Sequence, residues 1–142
     1  MRMPLDQRLG SDLKRVEQQL MTAKHEAVRP AGLTVPQFAA LLVLEQSPGI
    51  SAAALARSCA VTPQTMTTIL RNLEQRGLIE RNAHPWHGNV LETRLTESGT
   101  AVLVAADERA SAVERRLADA FTEQERTTLR ALLARCSEVL TS

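Results

Sequence analysis

Residues 51–81 read Ser51-Ala52-Ala53-Ala54-Leu55-Ala56-Arg57-Ser58-Cys59-Ala60-Val61-Thr62-Pro63-Gln64-Thr65-Met66-Thr67-Thr68-Ile69-Leu70-Arg71-Asn72-Leu73-Glu74-Gln75-Arg76-Gly77-Leu78-Ile79-Glu80-Arg81. Two helices are written into this stretch. Ser51 caps a short one carrying Ala52, Leu55 and Ala56, which ends near Ser58-Cys59-Ala60. Thr62 is the N-cap of the second and Pro63 its first helical residue, where a missing N–H costs nothing. Met66, Ile69, Leu70 and Leu73 form its apolar stripe. Gly77 is placed to end it in the left-handed conformation. The period then changes to that of strands: Leu78-Ile79-Glu80-Arg81 is one, and Val90 to Leu95, with Leu91, Thr93 and Leu95 on one side, is another. Asn82 to Asn89 between them reads as a hairpin loop.

Outward from this centre the chain is helical. Thr34-Val35-Pro36-Gln37 is a capping box before an all-apolar run from Phe38 to Leu44, so that helix is expected to be buried, and Ser47-Pro48-Gly49 turns the chain after it. Leu5, Leu9, Leu13, Val16, Leu20 and Ala27 share one face of a long first helix ended by Pro30 and Gly32. Thr96 caps a long helix with Val102, Ala106, Ala110, Val113 and Leu117 on one face. Thr122 and Glu125 box the start of the last, which carries Leu129, Leu132, Leu133, Cys136, Val139 and Leu140. The stripes of the end helices are broader than one small core can cover, which predicts pairing with a second copy.

This order of elements is a winged helix-turn-helix, mainly α with a small β-hairpin wing (α+β). The quoted stretch resembles the MarR family of transcriptional regulators, and the likeness continues through Leu95-Thr96-Glu97-Ser98-Gly99 at the junction of wing and long helix. It covers nearly the whole chain. The resemblance implies a homodimeric regulator that binds double-stranded DNA, with residues 35–95 as the DNA-binding domain and 1–34 and 96–142 as the helical dimerisation region. It implies a ligand-responsive repressor on a pseudo-palindromic operator, two recognition helices entering major grooves ~34 Å apart. Small anionic or aromatic effectors in this family often bind between end helices and winged domain, where His25 and Arg29 are the candidate contacts.

The residues agree with that chemistry. With the apolar stripe inward, the second helix shows Gln64, Thr65, Thr68, Arg71, Asn72 and Gln75, polar groups able to read base edges, and no Asp or Glu falls between Thr62 and Leu73. Ser51, Thr62 and Pro63 stand at helix N-termini, whose free amides suit phosphate. Arg81 and Arg94 at the strand bases are expected phosphate contacts. The wing departs from the family pattern. Many members carry Asp-x-Arg at its tip, the Arg reaching the minor groove; here His84-Pro85-Trp86-His87-Gly88-Asn89 puts His87 and Asn89 at those places. Asn89 can hydrogen-bond but brings no charge, so binding should lean on the helix. His84 and His87 would add charge below about pH 6.5. A dimeric protein-interaction scaffold whose degenerate wing no longer binds DNA is the alternative.

Composition sets the remaining bounds. The 142 residues suit one domain. Seventeen Lys and Arg against sixteen Asp and Glu leave a net charge of +1, which on its own argues against nucleic acid. The average is uneven: residues 51–95 hold five arginines and three glutamates, while 96–142 hold six arginines and eight acids. Three aromatics, Phe38, Trp86 and Phe121, are too few for single-strand binding by stacking. There is no Gly-rich phosphate loop and no nucleophile elbow, so no enzyme is expected. His84-x-x-His87 lacks the third ligand zinc needs, and no metal or cofactor is expected. Cys59 and Cys136 cannot build a disulfide framework and read as small buried hydrophobes. Family members that sense oxidants commonly pair an N-terminal-helix Cys with tyrosines; this chain has no Tyr and no Cys before residue 59. With no signal-peptide core and no run of ~18 apolar residues, a cytoplasmic location away from membranes is expected.

Overall fold

The computed structural model describes residues 1–142. After a 3-10 turn at Leu5–Gln7 come α1 (Leu9–Val28), a second 3-10 turn (Arg29–Ala31), α2 (Val35–Gln46), α3 (Ala52–Ser58) and α4 (Pro63–Gln75). The antiparallel hairpin β1 (Ile79–Ala83) and β2 (Leu91–Leu95) follows, then α5 (Glu97–Ala118) and α6 (Glu123–Thr141). Each helix after α1 opens on a residue whose side chain satisfies an otherwise orphaned amide. Thr34 and Gln37 form the capping box of α2, and Thr122 and Glu125 that of α6. Ser51, Thr62 and Thr96 cap α3, α4 and α5. Gly77 ends α4 at φ 71°, the left-handed backbone its position calls for.

The core gathers 18 buried apolar residues from nearly every element except α6. Phe38, Leu41 and Leu44 of α2 meet Leu55 of α3 and Met66, Leu70 and Leu73 of α4, closed by Leu78 and Ile79 and by Leu103, Ala106 and Ala110 of α5. Val28 and Leu33 bring the end of α1 into the same core. The buried face of α5 runs through Leu103, Ala106 and Ala110. It is thus rotated from the expected stripe: Val102 and Val113 are half-buried, and Leu117 is exposed. β2 buries only Thr93 fully; Leu95 is half-buried and Leu91, expected beside them, is 49% exposed. The reason is length: the hairpin projects past α2 and α3, and only its base has something to pack against.

Register pairs Ile79 with Leu95 and Ala83 with Leu91, so β1 runs two residues beyond the expected Arg81 and the loop shortens to 84–90. The turn before α3 also joins the wing. The Gly49 amide donates to the Thr93 carbonyl (3.0 Å) and the Thr93 amide to that of Ile50 (3.3 Å). Gly49 holds φ 85° there.

The junction Leu95-Thr96-Glu97-Ser98-Gly99 has a physical explanation. The Thr96 hydroxyl donates to the Gly77 carbonyl (2.6 Å) and accepts from the Gly99 amide (3.0 Å), while the Thr96 amide donates to the Leu78 carbonyl (3.1 Å). Gly99 lies so close to Leu78 that a Cβ would fall inside the carbonyl oxygen. A glycine in the first turn of α5, normally unfavourable in a helix, is therefore the residue that lets the helix seat against the end of α4.

The end helices differ from the core. No residue of α6 is buried: Leu129, Leu132, Leu133, Val139 and Leu140 stay 39–79% exposed. Leu5, Leu9 and Val16 at the other end of the chain are more than half exposed. No single helix is long and apolar enough to cross a membrane. Cys59 and Cys136 are half-buried rather than buried, because α3 ends at the first and α6 has no neighbour over the second.

Candidate nucleic-acid interface

α4 presents its polar face to solvent as a continuous surface. Gln64, Thr65, Thr68, Arg71, Asn72 and Gln75 are all exposed, opposite Met66, Ile69, Leu70 and Leu73, each no more than 8% exposed. At its N-terminus the Thr62 hydroxyl accepts from the Thr65 amide (3.1 Å) and donates to the Thr65 hydroxyl (2.9 Å). The Thr67 and Thr68 hydroxyls donate back to the carbonyls of Pro63 and Gln64. Short side chains folded onto their own helix leave α4 slim, which suits deep entry into a groove.

Two features of this face are invisible in the linear sequence. Gln37 of α2 donates to the Asn72 side-chain oxygen (2.9 Å), so Asn72 is tied to α2 through its oxygen and its amide nitrogen is free. Thr34, Pro36 and Gln37 then form a shallow cleft with Thr65, Thr68, Ile69 and Asn72. The Thr34-x-x-Gln37 box signalled a helix start in the sequence; that this start lies beside α4 depends on the packing of α2 on α4.

The arginines separate into two groups. Arg81, 23% exposed, pairs with Glu74 (3.4 Å) and bolts β1 to the end of α4. Arg94 pairs with Glu92 (3.0 Å). Arg76 donates to the Gly32 carbonyl (2.9 Å). Arg57 on α3 and Arg71 on α4 are exposed, and neither is within ion-pair distance of a carboxylate. The basic excess of residues 51–95 is therefore available on the two short helices, whereas the strand-base arginines Arg81 and Arg94 already carry partners. Arg57 entered the sequence reading only as a charge; its freedom from carboxylates is a result of the fold.

The wing tip is ordered by one histidine. Nδ1 of His84 accepts the amides of Trp86 (3.1 Å) and His87 (3.2 Å), and Nε2 lies 3.5 Å from a Glu92 carboxylate oxygen. The pattern assigns the neutral ring with its proton on Nε2. The two amide contacts to Nδ1 tie the loop backbone to the His84 ring. The His87 ring lies 5.1 Å from that of His84. Trp86 and Asn89 are exposed, Trp86 at 85%. No group of three or more His, Cys, Asp and Glu converges anywhere in the chain. Ser51 is half-buried under the cap of α3.

His25 and Arg29 lie exposed at the end of α1. The neighbouring Lys24 pairs with Glu114 of α5. The clefts along α5 are lined instead by Leu117, Phe121, Arg126 and Leu129 where it meets α6, and by Leu20, Ala23 and Leu117 where it meets α1. Arg126 donates to the carbonyls of Ala118 and Phe121 (both 2.8 Å), which fixes the bend between the two helices. Burial pushes the Cys59 thiol up from its ordinary value.

A two-helix unit exposing a polar helix with no carboxylate before Glu74, followed by a hairpin packed on that helix, defines a winged helix-turn-helix transcription regulator. Residues 33–86 match the model of the MarR family. The chain is 38% identical over 128 residues to the HTH-type transcriptional repressor Rv2887 of Mycobacterium tuberculosis, covering 90% of this chain and 92% of that protein. The crystal structure of Rv2887, a MarR family protein, in complex with salicylic acid superposes with a TM-score of 0.73 at 36% identity, covering 94% and 99% of the two chains. The repressor CouR bound to a 23-mer DNA duplex superposes with a TM-score of 0.86 at 28% identity, covering 96% and 99%. The chain belongs to the MarR family.

Proposed function

We propose that the chain acts as a homodimeric, ligand-responsive repressor that covers a pseudo-palindromic operator in double-stranded DNA, in the cytoplasm where that DNA lies. The observation that carries this reading is the α4 face: Gln64, Thr65, Thr68 and Arg71 exposed together, with no carboxylate from Thr62 to Leu73 and with the unpaired Arg57 on the neighbouring helix. In this reading Gln64, Thr65, Thr68 and Arg71 face base edges. Ser51, Thr62 and Pro63 face phosphates through helix N-termini, and Arg81, His84, His87, Asn89 and Arg94 form the wing contacts. Residues 35–95 serve DNA and 1–34 with 96–142 serve dimerisation. The exposed leucines of α6 and the apolar residues before and within α1 support this second role, since so much open apolar surface is unusual on a monomer.

The effector is a small molecule. The salicylic acid complex of Rv2887 favours an aromatic acid, and the basic groups His25 and Arg29 are the candidate contacts. By linkage, an effector that weakens DNA binding must itself bind the DNA complex more weakly, by the same factor.

A mobility shift with the duplex upstream of the chain's own gene, at two salt concentrations, tests the reading. Specific binding that falls steeply with salt is the expected result. Failure to shift any duplex at low salt would leave the scaffold reading, which the uncharged Asn89 at the wing tip favours.

A further inference from the structure

The wing tip carries a feature that the arginine-based picture leaves unused. Between His84 and Leu91 there is no Lys, Arg, Asp or Glu. Instead Trp86 is 85% exposed, Leu91 49% and Val90 41%, three large apolar side chains on one small hairpin end. A hairpin tip that only meets water has no use for an exposed indole, whose burial elsewhere would remove a large apolar area from solvent.

The backbone beneath the indole is fixed. His84 Nδ1 takes the amides of Trp86 and His87. The His84 amide donates to the Val90 carbonyl (2.7 Å) and the Val90 amide to that of His87 (2.9 Å), and Pro85 restricts the residue between. A side chain presented from a fixed backbone loses less entropy on binding than one on a floppy loop. The hairpin is itself anchored to the recognition helix: Arg81 pairs with Glu74, and the Leu78 amide donates to the Leu73 carbonyl (3.0 Å). Five strand residues at ~3.3 Å each carry the tip roughly 15 Å beyond Leu78. The tip that carries the indole therefore stands at a set distance from the end of α4.

We propose that Trp86 is a duplex-contacting residue of this protein, its indole packing on the deoxyribose edge of the groove beside the one α4 enters. It supplies by apolar contact what a charged wing tip would supply by electrostatics. Minor-groove proteins use apolar side chains such as Phe, Leu, Ile, Met or Pro against a duplex by inserting them between base steps, so apolar contact at a groove has precedent; here the indole stays on the sugar edge. The Nε1–H remains free to donate to a sugar or base-edge acceptor. Val90 and Leu91 extend the apolar contact behind it. This proposal rests on the DNA-binding reading above and adds to it the identity of the wing contact.

The chain offers a direct probe, since Trp86 is its single Trp and it has no Tyr. Full-length protein is titrated with duplex from upstream of its own gene. Binding is followed by the anisotropy of a fluorescein-labelled duplex, and the indole separately by its emission and acrylamide quenching with unlabelled duplex. Binding accompanied by protection of the indole is expected. Trp86→Ala should lose roughly tenfold in affinity, about 1.4 kcal/mol, with the salt slope unchanged because no counterion-releasing charge is removed. Trp86→Phe should retain most of the affinity.

Binding seen by anisotropy with an indole as accessible as in free protein overturns the proposal and leaves the DNA reading standing. So does a Trp86→Ala variant of unchanged affinity. Protection of the indole that rises with protein concentration in the absence of DNA assigns the tip to a second copy and overturns it as well. Absence of any duplex binding removes both readings together.

Discussion

α4 and α6 are built alike and end differently. Each starts on a threonine whose hydroxyl takes the amide three residues on, and each carries a stripe of large apolar residues. In α4 the whole stripe is buried, with Met66, Leu70 and Leu73 at 0% exposure; in α6 no residue is buried and the leucines stand 39% exposed or more. Periodicity reports that a helix has a face to hide. It does not report whether the covering surface belongs to the same chain. For α4 the cover is α2, α3 and β1. For α6 this chain supplies no full cover, and under the proposed function the second protomer does.

The comparison is broken most severely at Leu70. Leu70→Ala empties a fully enclosed site and should cost about 2–5 kcal/mol of stability in urea unfolding. Equivalent truncation of Leu132 in α6 should cost far less in the monomer. Charging the outer stripe instead should separate the two roles. Leu132→Asp with Leu140→Asp should raise the dimer dissociation constant at least ~100-fold, about 2.7 kcal/mol, read by sedimentation equilibrium, with the helical circular dichroism of the monomer retained. A variant that stays dimeric would assign dimer contacts to other surfaces.

Next in size are the two kinds of arginine. Arg71→Ala should weaken the operator complex by about 1–3 kcal/mol and reduce discrimination against random duplex. Arg94→Ala, whose guanidinium is shared with Glu92, should change affinity less and affect all duplexes alike. Equal losses on every sequence for both variants would remove base reading from Arg71. Smaller again is the contrast between cysteines. Burial raises the Cys59 thiol, and the thiolate is the reactive form, so alkylation at pH 8 should run slower than that of a free thiol and recover only at higher pH. A Cys59 that labels as fast as free cysteine would mean that the end of α3 opens readily. The smallest effect is expected at Thr93, fully buried, with a hydroxyl that has no hydrogen-bond partner. Thr93→Val should be neutral or stabilising by up to ~1 kcal/mol in thermal unfolding, because it removes a polar group without losing a bond.

What was legible in the sequence was short-range. The caps at Thr34, Ser51, Thr62, Thr96 and Thr122 lie three residues from the amides they satisfy, so the chemistry is written locally. The stripe of α4 was legible because its opposite face is uniformly polar. The stripe of α5 was not. Val102 and Leu103 are both apolar, and which one turns inward depends on how Gly99 seats against Leu78. The site divides the same way. The residues of α4 could be read from periodicity. The tie of Asn72 to Gln37, thirty-five positions away, and the pairing of Arg81 with Glu74 could not, because each depends on elements meeting in space. The role of His84 was hidden for a further reason: its ring bonds to backbone amides, which every sequence possesses and none displays.

The seat of Gly99 has a mechanical consequence. Thr96 and Gly99 clamp the start of α5 directly to Gly77 and Leu78, just past the end of α4. α5 has 22 residues, a rod of about 33 Å. A tilt of roughly 5° about its far end would carry the clamped end by about 3 Å, and the clamp leaves no slack to absorb it. The rod would thus transmit a small rearrangement among the end helices to α4 at nearly full amplitude. A shift of that size is comparable to the spacing of adjacent base pairs, enough to take the helix out of register with a groove while every internal contact of the winged unit stays intact.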